Sequence, residues 1–317
     1  MKKYNWGIIG LGEIAHQFAS GFSQEQSVLY GVASRSLSKA KEFANEYTIQ
    51  QAYDSYEAML ADPAIDCVYV AVPNQFHHAH ILQALKAGKH VLCEKAITLN
   101  QAELEEAVQT AKDNQVILQE AMTIFNMPLF KELNRIIQTG KLGKLKMIQA
   151  PFGSYKEPDP TNRFFNPQLA GGALLDIGTY AVSFVRQFMT APPTVVASDM
   201  LPFKTGVDEQ SVTILRNEHN EMAAVTLTFQ AKMPKIGVAA FENGYITVAD
   251  YPRADQAEIF YVDGTKEFIE SGNSQNALNY EVDTMIQTIE GQPNHSLHLT
   301  QDVIQVLDQM QTIWRSK

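Results

Sequence analysis

The chain has 317 residues, 45% of them apolar and 19% charged, the composition of a globular protein long enough for two ordinary domains. Its formal net charge is -10, from 25 Lys plus Arg against 35 Asp plus Glu, so a nucleic-acid backbone is repelled. Lys2, Lys3, Lys141, Lys144 and Lys146 are too scattered to make a basic patch. No apolar run approaches the ~18 residues of a membrane helix. The N-terminal apolar stretch is short, broken by glycine and ends at Glu13, unlike a secretory signal. Cys67 and Cys93 make no disulfide framework and suit two reduced, packed thiols in a cytoplasmic protein.

Residues 4–9 (YNWGII) predict a short apolar strand. Residues 13–24 predict a helix, with Ile14, Phe18 and Phe22 at spacings of four, and 27–33 a second strand. Helices follow over 37–47 and 55–61. The near-continuous apolar run 66–72 (DCVYVAV) fits a strand buried on both faces. A helix over 77–87 ends at Gly88 as its C-cap; strand 89–93, helix 101–113 and strand 115–119 come next. This alternation implies right-handed crossovers and an open parallel sheet. After about residue 121 the rhythm changes. A helix near 128–138 precedes strand-like segments at 145–153, 194–201, 210–217, 222–230, 236–241 and 244–249, with turn signals between them. Helices over 276–290 and 301–314 close the chain. This half is α+β, one large sheet with helices on one side, and the expected domains are residues 1–121 and 122–317.

Gly10-Leu11-Gly12-Glu13-Ile14-Ala15 follows the first strand and opens the first helix. Gly10 permits a tight turn, Gly12 lets a pyrophosphate approach the backbone, and Ala15 lets helix and strand pack closely. The helix N-terminus offers its N–H groups to that phosphate. Gly10, Gly12, Glu13 and Ile14 are thus candidate cofactor-binding residues. About 20 residues further on, NAD enzymes place an acid for the ribose 2′-OH; here Ser34 and Arg35 stand at that point. A hydroxyl and a guanidinium bind a 2′-phosphate that a carboxylate would repel, so NADP is favoured over NAD.

Val70-Ala71-Val72-Pro73-Asn74 ends a central strand, where open α/β sheets bind ligands. Pro73, Asn74 and His77 are candidate cofactor contacts, the last two through hydrogen bonds to a nicotinamide ribose. A metal site built from His77, His78 and His80 is disfavoured, because neighbours on a helix do not converge on one ion. Lys95, in Cys93-Glu94-Lys95-Ala96, lies at another strand's carboxyl end, a costly place for charge unless it is paired or functional. It is a candidate catalytic group; a surface pair with Glu94 is the alternative. In Gly171-Gly172-Ala173-Leu174-Leu175-Asp176-Ile177-Gly178-Thr179-Tyr180 the paired glycines mark a loop and a helix begins near Ala173. Asp176 and Tyr180 share one helical face. Gly178 between them costs about 1 kcal/mol relative to Ala, which points to close approach by a ligand or another backbone. A packing helix with an ordinary Tyr and a capping Asp is the alternative.

Jointly, GLGEIA, VAVPNQFHHAHILQALKAGKHVLCEKAIT, GKLGKLKMI and GGALLDIGTY resemble the Gfo/Idh/MocA oxidoreductases over nearly the whole chain. The resemblance implies an N-terminal Rossmann domain with a doubly wound parallel sheet. It implies a C-terminal α+β domain on a large, open, mainly antiparallel sheet whose exposed face makes a homodimer or higher homo-oligomer. The family's EKP lysine falls on Lys95, with Glu94 among the cofactor-binding residues. Its DxGxxH motif falls on Asp176, Gly178 and Tyr180, with Tyr where many members carry His. Tyr there is similar to a branch of sugar and dihydrodiol dehydrogenases that typically uses NADP.

Three features depart from the family's pattern. Ala96 replaces the Pro after the lysine, which leaves the backbone that aims Lys95 less fixed. Ala170 replaces the first Gly of a triple. Thr123, Ile124 and Phe125 follow Glu120-Ala121-Met122 in place of an aromatic and an Arg, so an aldose or polyol fits better than an aromatic diol. The implied chemistry is hydride exchange between nicotinamide and a carbinol, with Tyr180 as acid/base. Free Tyr has a pKa of about 10, and an ammonium such as Lys95 about 4 Å away would favour tyrosinate by at most roughly 4 kcal/mol. Asp176 would orient a substrate hydroxyl or hold Lys95, and Arg163 would contact substrate. A cofactor-binding regulator and a cofactor-dependent lyase or glycosidase with no net redox change are the other functions this pattern allows.

Overall fold

The computed structural model describes residues 3–23 and 25–316; Lys2 lies outside them. The chain forms two compact units. The first runs to Thr98, resumes over Ala102–Ala121 and takes in Leu278–Leu297; the second holds Leu99–Gln101, Met122–Ala277 and the chain from His298 onward. In chain order the first unit contains β1 (Tyr4–Ile9), α1 (Glu13–Gly21), β2 (Ser27–Ala33), α2 (Leu37–Tyr47), β3 (Gln51–Tyr53) and α3 (Tyr56–Ala61). It continues with β4 (Cys67–Val70), α4 (His77–Lys86), β5 (His90–Glu94), α5 (Gln101–Asp113) and β6 (Leu118–Ala121). The strands lie in the order β3-β2-β1-β4-β5-β6, all parallel. The order reverses between β1 and β4, so the loops leaving these two strands flank the switch point where such sheets bind ligands. The core is built on Trp6, Ile8, Phe18, Tyr69 and Leu92, with the Phe18 ring stacked 3.9 Å from that of Tyr69. Cys67 and Cys93 are buried and not joined in a disulfide.

The second unit contains α6 (Thr123–Asn126), α7 (Pro128–Gln138), β7 (Leu145–Gly153), α8 (Thr179–Phe188), β8 (Thr194–Pro202) and β9 (Asp208–Arg216). Then come β10 (Met222–Thr228), β11 (Ile236–Phe241), β12 (Gly244–Ala249), β13 (Gln256–Tyr261) and β14 (Lys266–Glu270). The chain closes with α9 (Ala277–Ile289) and α10 (Leu297–Arg315). Eight strands lie in the order β14-β13-β12-β11-β7-β10-β9-β8, and only the β7–β10 pair is parallel. Helix α8 packs on β7 and β10, burying Phe184 against Phe130 and Tyr251. Helix α10 is tied to this unit where Arg186 Nε donates to Asp302 Oδ2 at 2.6 Å and Trp314 Nε1 to Ser198 Oγ at 2.8 Å.

Two expectations change. A single boundary at 121/122 does not describe the units, because Val282, Met285 and Ile286 of α9 join the Trp6–Tyr69 core. An amphipathic pattern shows that a helix buries a face, not against which core. The eight-stranded sheet is larger than the sequence suggested, since β13 and β14 were not anticipated. β14 (KEFIE) is an edge strand whose charged residues hide its period and protect the edge. The short edge strand β3 was missed as well.

Candidate active site

In the first unit the Gly10–Ala15 turn has the shape its sequence promised. Gly10 sits at φ +94°, and a Cβ there would lie 2.6 Å from the Ala71 carbonyl oxygen. Only glycine lets the loop after β1 press against the end of β4. At Gly12 a Cβ would meet nothing within 4 Å, so the backbone faces open space where a pyrophosphate fits. Gly12 caps α1 without a side-chain hydrogen bond; the Ala15 N–H donates to the Gly12 carbonyl at 3.0 Å, and the Glu13 and Ile14 N–H groups ahead of it suit an anion. Glu13 is exposed and Ile14 half-buried at this turn. Ser34 and exposed Arg35 follow β2, the Ser34 Oγ accepting from the Ser36 N–H at 3.3 Å. Exposed Pro73 and half-buried Asn74 follow β4. These residues fit a dinucleotide.

Across Val91–Thr98 every residue is buried except Lys95. Its neighbours are anchored on both sides. Glu94 accepts from the Tyr69 hydroxyl and, at 3.3 Å, from the Lys95 N–H. Burial first, then the Glu94 charge, holds the Tyr69 phenol well above its ordinary pKa, so it stays a donor. Glu120 Oε1 accepts from the Ile97 N–H at 3.1 Å. The Lys95–Ala96 peptide is cis. Ala96 was expected to leave this backbone loosely aimed; instead its carbonyl oxygen lies 2.9 Å from His77 Nδ1. His77 Nε2 lies 2.8 Å from the Val72 carbonyl oxygen. The imidazole is fully buried with both nitrogens engaged, so the expected ribose contact gives way to a bridge between the loops after β4 and β5. Burial is the largest influence on its pKa and lowers it; the carbonyls of Val72, Ala96 and Ile97 oppose it, while Lys95 acts in the same direction as burial. His78 and His80 turn to Glu106 and Gln83. Among the described residues no group of three or more His, Cys, Asp or Glu is placed to hold a metal.

In the second unit a single π-helical turn, Leu174–Gly178, feeds into α8, a geometry frequent at functional sites. From Gly172 to Arg186 only Asp176 and Tyr180 keep part of their surface exposed. The Phe152 ring lies 6.2 Å from that of Tyr180. Arg163 Nη2 lies 3.9 Å from Asp176 Oδ1, and its guanidinium sits 4.1 Å over the Phe164 ring. Gly178 is explained differently from expectation. It has ordinary helical φ, and a Cβ would lie 2.7 Å from Leu227 Cδ1, so it seats the helix on β10. A Cβ on Gly171 would meet the carbonyls of Arg163, Phe164 and Asn166 at 2.8–2.9 Å. Gly172, at φ +122°, leaves room for the carboxylate of Asp208. Sequence reasoning missed Tyr69, Glu120 and Asp208. Tyr69 and Asp208 sit in no motif, Glu120 stands in a segment read only for its bearing on substrate, and each acts on backbone or side chains distant in sequence.

A family profile described as "Oxidoreductase family, NAD-binding Rossmann fold" matches residues 4–122, and one described as "GFO/IDH/MocA C-terminal domain" matches 130–266. Fold and profiles together define an NAD(P)-dependent oxidoreductase acting on CH–OH groups. The chain belongs to the Gfo/Idh/MocA family. It is 35% identical over 250 residues to the trans-1,2-dihydrobenzene-1,2-diol dehydrogenase of Xenopus tropicalis, covering 77% of this chain and 74% of that one. The same enzyme of Bos taurus is 31% identical, covering 83% and 79%. Among solved structures, the 3-ketoreductase KijD10 of Actinomadura kijaniata with NADP and TDP-benzene has the same fold at TM-score 0.87 and 21% identity, covering 98% of each chain. A levoglucosan dehydrogenase with NADH and L-sorbose matches at TM-score 0.87 and 19% identity, covering 100% of this chain and 98% of that one.

Proposed function

We propose that this protein is an NADP-dependent dehydrogenase or reductase acting on a secondary carbinol of a sugar or polyol, with Tyr180 as acid/base and Lys95 as its electrostatic partner. The observation that carries it is the selective exposure of Asp176 and Tyr180 in an otherwise buried segment. Burying the rest while presenting a carboxylate and a phenol side by side is a poor packing solution and a good way to hold a hydroxylated substrate. When bound, the nicotinamide supplies the two-electron acceptor or donor. Gly10, Gly12, Glu13 and Ile14 hold the pyrophosphate, Ser34 and Arg35 the 2′-phosphate, and Pro73, Asn74 and Glu94 line the nicotinamide end. Tyr180 Oη takes the hydroxyl proton in oxidation and returns it in reduction. The Lys95 ammonium favours tyrosinate and the developing alkoxide. Asp176 and Arg163 orient the remaining substrate hydroxyls.

The curated relatives are named for an aromatic trans-1,2-diol, and the two similar solved structures hold a nucleotide-linked ligand and a ketose. A vicinal pair of secondary carbinols is common to a sugar and a dihydrodiol, and the sugar is favoured by Thr123, Ile124 and Phe125. The test is a panel of aldoses, polyols, glycosides and trans-dihydrobenzenediol with NADP, followed by nicotinamide absorbance. Tyr180→Phe and Lys95→Ala should each lower turnover by about 10²–10⁴-fold with NADPH binding retained. Near-wild-type turnover in either variant removes its assigned role. Glycoside cleavage without net absorbance change points to the lyase reading, and cofactor binding without turnover on any substrate to the regulator.

A further inference from the structure

We propose that Asp208 is a positioning residue for the reaction, holding in place the helical segment that carries Asp176 and Tyr180. This rests on the acid/base role given to Tyr180. Asp208 is the first residue of β9, and its Oδ2 accepts from the Leu174 N–H at 2.7 Å, at the start of the π turn. The Ala173 and Asp208 N–H groups also favour its carboxylate. A carboxylate here satisfies donors that the start of the turn leaves open. The loop is shaped around it, because any Cβ on Gly172 would overlap Asp208 Oδ1. Gly172 therefore serves Asp208, and Asp208 serves the turn two residues before Asp176 and six before Tyr180.

Burial outweighs these donors and pushes the Asp208 carboxyl up to about 7. The influences on the shift are burial, the largest, and the opposing backbone N–H groups of Leu174, Asp208 and Ala173; Glu209 is the charged neighbour on the same strand. The ionised form accepts the turn's N–H groups, and the protonated form gives up part of that capacity. Losing the anchor misplaces Tyr180 without touching the cofactor.

Asp208→Asn tests this at a temperature where the variant is folded. The expected result is a fall in kcat of about ten-fold or more, with NADPH affinity within about two-fold of wild type. Asp208→Ala, which has no acceptor, should fall further than Asp208→Asn. The wild-type kcat should decline on the acid side with an inflection near 7, absent in Asp208→Asn. Unchanged kcat in a folded Asp208→Asn overturns the proposal. Should the variants not fold, the wild-type profile alone decides, and a flat kcat between about pH 6 and 8 overturns it. Tyr180→Phe is run beside them. Full activity in Tyr180→Phe defeats the acid/base assignment itself, whereas an inactive Tyr180→Phe with a fully active Asp208→Asn defeats only this inference.

Discussion

The imidazole of His77 lies 2.9 Å from the carbonyl oxygen of Ala96, the residue after Lys95. Its other nitrogen reaches the Val72 carbonyl, so one buried ring ties together the loops leaving β4 and β5. With its pKa lowered the ring is neutral and carries one N–H, so His77→Leu deprives one of the two carbonyls of its donor, at a cost of about 1–3 kcal/mol where water does not enter. Turnover should fall with stability, since the backbone on one side of Lys95 loses its tether. The pH dependence has a definite sign. Burial lowers the His77 pKa, so the unfolded chain binds the proton more readily than the folded one. Its contribution is complete above the unfolded value of about 6.5 and is lost as pH falls below it. Urea unfolding at several pH values should show a steeper acid-side loss in wild type than in His77→Leu. Equal slopes would mean the ring is not held in this way.

The proposed preference for NADP rests on Ser34 and Arg35, which follow β2. Arg35→Ala removes a charge-assisted contact of about 1.5–3 kcal/mol. The KM for NADP should rise roughly 10–100-fold, with the KM for NAD almost unchanged. Ser34→Asp should go further and invert the preference, because a carboxylate repels the 2′-phosphate and accepts from a ribose hydroxyl. Steady-state kinetics with both cofactors decides it. A preference for NAD in the unaltered protein would reverse the assignment.

Much of this organisation was legible in the sequence because it is local. The GLGEIA turn needs φ, space and a following helix, all encoded within six residues, and β4 reads as buried from CVYV alone. Lys95, Asp176 and Tyr180 stand out because charge or a phenol interrupts an apolar run. What was not legible is long-range. His77 looked like a ligand contact until its two carbonyl partners, five and nineteen residues away, were located. Gly178 suggested close approach by a ligand or another backbone because the sequence does not reveal that the Leu227 side chain occupies the facing position. Asp208 lies 34 residues from the N–H it accepts, in a strand whose alternation is ordinary. The placement of α9 was hidden for the same reason, its apolar face fitting either core.

Ala170 marks a place where the chain departs from a glycine at some cost. It closes a short turn at φ +53° and ψ 46°, the left-handed region. An L-residue there costs about 1–2 kcal/mol. Glycine avoids this but gives back about 0.4–1 kcal/mol through its freer unfolded chain. Ala170→Gly should therefore stabilise by about 0.5–1 kcal/mol and raise Tm by roughly 1–4 °C. Differential scanning calorimetry measures it, and a lowered Tm would show that the methyl group has a packing role that outweighs the backbone term.

The open face of the eight-stranded sheet supports self-association, the role that the family resemblance implies. Met147, Val212, Ile214, Met222 and Tyr245 are all exposed; they lie on β7, β9, β10 and β12, with Met222 beside Met147 and Ala240 of β11 between Met147 and Tyr245. Val212, on β9 at one side of this surface, is 57% exposed. Apolar area of this extent in contiguous strands is a surface that a second copy would cover. Wild type should run at a multiple of the single-chain mass in light scattering. Val212→Glu together with Tyr245→Glu should shift it to the single-chain mass, because each charge would have to be buried without a partner. The side chains point away from the Phe184 core, so the monomeric variant should keep its fold and its circular dichroism. A wild-type protein already at the single-chain mass, or a double variant that stays assembled, would place the interface elsewhere or remove it.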